Sequence, residues 1–99
     1  MNINDFFELC LVHGSSQQIE AAIKSGALNN VIAQVESLKN PDEFEKTRNE
    51  LDVKTIVEMQ KFLENARFVF IIATEFNYET PRLCAALDKV HALEKIIGW

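Results

Sequence analysis

Residues 53–76 contain neither glycine nor proline, and their apolar side chains return at three- and four-residue intervals: Ile56, Met59, Phe62, Leu63, Ala66, Phe70 and Ala73. A stretch without breakers that repeats near the 3.6-residue period predicts one long amphipathic helix, ending before Asn77. Inside it, Phe68, Val69, Phe70, Ile71 and Ile72 form a run that is β-prone taken alone. A strand needs another to pair with, and the chain offers no second one, so the run goes with its helical flanks. This element points the whole chain toward an all-α fold.

The remaining segments read as shorter helices. Gly14, Gly26 and Pro41 punctuate the first half. Asn4 or Asp5 can cap a first helix carrying Phe6, Phe7, Leu9, Cys10 and Leu11, closed at Gly14 by a left-handed residue. Ser15 or Ser16 caps a second, with Ile19, Ala22 and Ile23 on one face as far as Gly26. Asn29 or Asn30 opens a third with Val31, Ile32, Val35 and Leu38, and Pro41 closes it. Residues 42–52 are the most polar stretch, with Phe44 and Leu51 as their large apolar groups, and read as a short exposed helix or an ordered loop.

Thr80 and Pro81 suit the N-cap and first turn of a last helix, where the missing proline N–H costs nothing. Leu83, Ala86, Leu87 and Val90 form its buried stripe, and Ala85 is expected where two helices approach closely. A further stretch from His91 carries Leu93, Ile96 and Ile97 to Trp99. The expected architecture is a compact single domain over residues 1–99, with five or six helices arranged as antiparallel hairpins.

Composition narrows the function classes. The chain has 99 residues, the size of one domain, and 47% of them are hydrophobic, enough for one core. Fifteen acidic against ten basic side chains give a net charge of −5, and Lys and Arg are nowhere clustered, which argues against direct nucleic-acid binding. No apolar run reaches the length of a membrane span. The opening Met1-Asn2-Ile3-Asn4-Asp5 lacks the basic region and apolar core of a signal peptide, so a cytoplasmic protein away from membranes is expected. Cys10 and Cys84 fall within apolar helical patterns and read as reduced core residues.

Chemistry-bearing residues are sparse. Cys10, His13, Cys84 and His91 match the inventory of a tetrahedral zinc site. Cys84 and His91 stand seven residues apart, however, about 10 Å along one helix, too far for two ligands of one ion. Ser15 and Ser16 beside His13 are better placed to cap a helix than to act as nucleophiles. The carboxylates Asp42, Glu43 and Glu45 lie in the most polar segment, where water keeps them ionised and unsuited to general acid chemistry. Three glycines, at 14, 26 and 98, cannot build a phosphate loop. Phe62, Phe68, Phe70 and Phe76 are spaced for core packing, whereas Phe6, Phe7, Phe76, Tyr78 and Trp99 are hard to hide together and include candidate interface anchors. These readings lead to a non-catalytic protein without cofactor or metal.

Residues 5–30 resemble one ankyrin repeat: a short helix, the turn glycine at Gly14, a second helix, then Gly26-Ala27 and Asn30. Residues 80–97 open with Thr80-Pro81-Arg82-Leu83-Cys84-Ala85-Ala86, similar to the family's Thr-Pro-Leu-His-x-Ala, and continue through Val90, Leu93, Ile96 and Ile97. Asp5-Phe6 stand where the first unit would have Thr-Pro, Arg82 and Leu83 depart from the opening consensus, and Lys89 replaces the second turn glycine. The two openings lie 75 residues apart, not a multiple of the period of about 33, so the likeness is to a degenerate ankyrin-like chain rather than a regular solenoid. The resemblance implies that another protein is bound through turn tips and the inner face of each first helix, here Asn4, Asp5, Glu8, Val12, Asn77, Tyr78, Glu79 and Arg82.

The expected function is therefore a non-catalytic protein–protein interaction module. Two alternatives stay open. One is a small acidic inhibitor, of the kind encoded by phages or plasmids, whose carboxylates in residues 42–58 occupy the basic groove of a nucleic-acid-binding protein. Against it, eight acidic residues between Glu36 and Glu64 are interleaved with five basic ones. The other is a helical homodimer joined through the apolar C-terminal stretch of Ile96, Ile97 and Trp99.

Overall fold

The computed structural model describes Glu8 and residues 15–98. Five α-helices follow one another there: α1 (Ser16–Lys24), α2 (Ala27–Ser37), α3 (Pro41–Thr47), α4 (Val53–Glu75) and α5 (Pro81–Ile97), with a 3₁₀ turn at Arg48–Glu50 between α3 and α4. The described residues contain no strand, and the protein is an all-α domain.

Local chemistry sets most helix starts. Ser15 caps α1 through a reciprocal pair: its Oγ accepts from the Gln18 amide at 3.3 Å, and Gln18 Oε1 accepts from the Ser15 amide at 3.1 Å. Asp52 caps α4 by accepting from the Thr55 amide at 2.8 Å, and Thr80 caps α5 by accepting from the Leu83 amide at 3.1 Å, with Pro81 in the first turn. The β-prone run at residues 68–72 is helical, lying within α4 rather than paired as a strand.

Several boundaries differ from the sequence expectation. α2 begins at Ala27, not at Asn29 or Asn30, because Gly26 takes φ = 98° and turns the chain directly from α1 into α2. A Cβ at Gly26 would meet nothing within 4 Å, so the backbone conformation and not crowding makes glycine suitable there. Pro41 opens α3 rather than closing α2, which has already ended at Ser37. The polar segment 42–52 is mostly helical and buries Phe44. Residues 81–97 are one continuous helix.

The core runs through all five helices: Ile19, Ala22 and Ile23 from α1; Ala27, Leu28, Val31, Ile32 and Val35 from α2; Phe44 from α3; Leu63, Ala66, Val69, Phe70 and Ala73 from α4; Leu83, Ala86, Val90, Leu93 and Ile97 from α5. α1 and α2 form one hairpin across Ser25-Gly26, and α4 and α5 form another across residues 76–80. The second hairpin is antiparallel: Arg67 in the middle of α4 meets Glu94 near the end of α5, Nε to Oε1 at 3.6 Å. α5 also packs on α2 and α3 and so sits at the centre of the bundle. Two expectations on that helix are corrected, since Cys84 and Ala85 are both exposed and the small residue at the close contact is Ala86. The helix turns by about 100° per residue, which carries positions 84 and 85 off the stripe of Leu83, Ala86 and Val90.

Candidate interaction surface

Of the residues that the repeat likeness singles out, Asn4, Asp5 and Val12 lie outside the described residues, and Glu8 is helical and exposed. Asn77, Tyr78, Glu79 and Arg82 come together at the turn between α4 and α5, but the structure gives three of them employment inside the fold. Asn77 adopts φ = 63°, its amide donates to the Thr74 carbonyl at 3.0 Å, and the Tyr78 amide donates to the Ala73 carbonyl at 3.1 Å. This is the Schellman arrangement that stops a helix at a left-handed residue. The Tyr78 ring is half-buried against the core. Glu79 is exposed.

Arg82 reaches back 46 residues to Glu36 on α2 in a two-pronged pair, Nε to Oε2 at 2.9 Å and NH2 to Oε1 at 2.6 Å. The bond holds the Glu36 carboxyl below its ordinary value of 4.5 and the Arg82 guanidinium above its own. Two turns further along α5, Lys89 Nζ donates to the Leu38 carbonyl at 2.6 Å and to the Glu36 carbonyl at 3.2 Å. A cation thus closes the C-terminal end of α2, where unpaired carbonyls concentrate negative charge. Arg48 does the same for α5 by donating from NH2 to the Ile97 carbonyl at 3.4 Å.

Some other surface charges have local partners. Lys24 and Glu20 meet at 3.2 Å across one turn of α1, and the Glu20 hydrogen bond keeps the lysine above its ordinary value. The Asp52 carboxyl is held low by hydrogen bonds from the Thr55 side chain and amide. Four of the eight acidic residues of the 36–64 region have separate settings: Glu36 is committed to Arg82, Asp52 caps α4, and Asp42 and Glu45 line a shallow depression with Lys46.

A second open depression lies between α4 and α5, lined by Glu64, Arg67, His91, Glu94 and Lys95. Glu94 Oε1 is buried there without a hydrogen bond, facing Arg67 at 3.6 Å. Cys84 and His91 are both exposed on α5, while Cys10 and His13 lie outside the described residues. No group of three or more His, Cys, Asp or Glu side chains among the described residues could hold a metal ion. No described helix is long and apolar enough to cross a membrane. Ile97, part of the C-terminal apolar stretch, is buried in the chain's own core, and Ile96 packs partly against it. Trp99 lies outside the described residues.

The feature that the sequence reading missed is on α4. Val53 is 77% exposed, Val57 42% and Ile71 44%, all on the side of the helix opposite Leu63, Ala66, Val69, Phe70 and Ala73. Val57, Lys61, Glu64, Phe68 and Ile71 follow one another at four- and three-residue steps along this outer side, with Phe68 half-buried and the rest exposed. The signal was present in the pattern: Val53, Val57 and Ile71 fall off the stripe that accounts for the buried residues, so the helix is apolar on more than one side. A large apolar group left in water calls for an explanation in a way that an exposed polar residue does not.

No family model, curated protein or solved structure matches this chain.

Proposed function

We propose that the protein is a non-catalytic interaction module, and that it binds a protein partner through the outer side of α4. The observation that supports this reading most is the solvent exposure of Val53, Val57 and Ile71 on a helix whose opposite side already supplies five core residues. Burying apolar area is the main source of association free energy, at about 25 cal/mol per Å². Lys54 and Glu58 flank Val53 and Val57, and Lys61 and Glu64 lie between these groups and Ile71. The residues suggested by the repeat likeness contribute less to this reading, because Asn77, Tyr78 and Arg82 already serve the fold.

The test is co-purification from the source cells with the full chain as bait, comparing the wild type with Val53→Glu/Val57→Glu. Both positions are exposed, so the variant keeps the wild-type melting temperature. The expected result is a stoichiometric partner, a second copy included, that the variant loses. A partner held equally well by both proteins would place binding elsewhere and overturn the reading.

A further inference from the structure

The outer side of α4 has a self-complementary order of side chains, and we infer that its occupant is a second copy of this chain, lying antiparallel across it. This deepens the interaction-module reading and rests on it. Val57, Lys61, Glu64, Phe68 and Ile71 recur at the four-three spacing of a helix–helix seam. Placing a two-fold axis between residues 62 and 63 sets each position against another on the second copy. Lys61 then faces Glu64 of the second copy, and Glu64 faces its Lys61. Val57 meets Phe68 on either side of this centre, and at each end the aliphatic stem of Lys54 covers Ile71.

Charge selects the orientation and the register. In a parallel pair each position would face itself, bringing Lys61 onto Lys61 and Glu64 onto Glu64. In an antiparallel pair centred on residue 64, Val57 would face Ile71 but Glu64 would oppose Glu64 and Lys61 would oppose Arg67. The axis between residues 62 and 63 sets two opposite-charge contacts at the centre with apolar contacts beyond them on both sides. A charged layer within a seam weakens it but fixes its partner, as like-charge juxtapositions disfavour the competitors. The buried side of α4 is untouched, so pairing needs no rearrangement of the core.

Charge reversal tests this with the full chain, reading mass by light scattering and ultracentrifugation. Wild type is expected to reach dimer mass at millimolar protein. Lys61→Glu alone and Glu64→Lys alone each put like charges at both central contacts and weaken the dimer about tenfold or more. Mixing these two variants restores opposite charges at both contacts, so they form a mixed dimer tighter than either variant forms alone. The double variant Lys61→Glu/Glu64→Lys dimerises like the wild type. All four proteins keep the same melting temperature when dilute, since both side chains are exposed. A wild type that stays monomeric, or single variants that dimerise undiminished, overturns the inference. If the wild type is monomeric while Val53→Glu/Val57→Glu abolishes capture of a different protein, self-pairing fails and the interaction-module reading survives.

Discussion

The two long helices of the second hairpin use their surfaces in opposite ways. α5 packs on α2, α3 and α4, pairs Arg82 with Glu36, closes α2 with Lys89 and has its own end closed by Arg48. α4 buries as many residues, yet leaves Val53, Val57 and Ile71 in water and makes its polar reach across the bundle through the looser Arg67–Glu94 pair. The helix most tied into the bundle exposes no large apolar side chain. The one with unspent apolar surface is where binding should be sought, and this comparison redirects attention from the turn at residues 77–82 to the outer side of α4.

The largest expected effect separates the two sides of α4. Phe70→Ala removes a side chain with no exposure and should cost about 3–5 kcal/mol in chemical denaturation, whereas Val57→Ala should stay within about 0.5 kcal/mol. Similar costs at both positions would mean that the outer side is part of the core and would end the comparison. On α5, Lys89→Met keeps the aliphatic stem and removes the ammonium from the end of α2, with an expected loss of about 1–2 kcal/mol.

The turn gives a sharper test, because structural and partner-binding roles for Asn77 predict different series. As a left-handed helix stop, Asn77→Gly should leave stability nearly unchanged, and Asn77→Val should lower it by about 1–2 kcal/mol. Equal effects of the two substitutions would remove the helix-stop account.

The smallest effect concerns pH. The hydrogen bond from Arg82 lowers the Glu36 pKa in the folded chain, so this carboxylate binds protons less readily folded than unfolded. Its contribution is present above the ordinary value of 4.5 and disappears as pH falls below it through the lowered folded value. Glu36→Gln should therefore flatten the stability profile in that acid window and weaken the wild-type advantage at neutral pH, to a limited degree because the pair is exposed to solvent. An unchanged profile would show that the pair contributes nothing measurable.

What the sequence conveyed was local. The breaker-free stretch 53–76, the Ser15 cap and the Thr80-Pro81 start depend on residues within one or two turns, and each appears where the sequence indicates. Gly26 stops α1 as its position suggests, but its left-handed φ also makes it the entry to α2, a double use that side-chain capping rules do not reveal. Cys84 and Ala85 are exposed despite their apolar surroundings in the sequence, because an apolar-looking stretch fixes a helix more firmly than its rotation. The Arg82–Glu36 and Lys89–Leu38 contacts join residues 46 and 51 apart, and nothing local announces them. The exposed side of α4 is legible in part, since Val53, Val57 and Ile71 fall off the apolar stripe, but which side faces the core emerges only from packing.

The most direct test of the account is a dilution series followed by amide NMR, since it reports every surface of the molecule at once. Residues whose signals move with concentration should lie on the outer side of α4, among them Lys54, Val57, Lys61, Glu64 and Ile71, while Arg82, Lys89 and Asn77 stay fixed. Movement centred on the turn at residues 77–82, or on no surface at all, would contradict it.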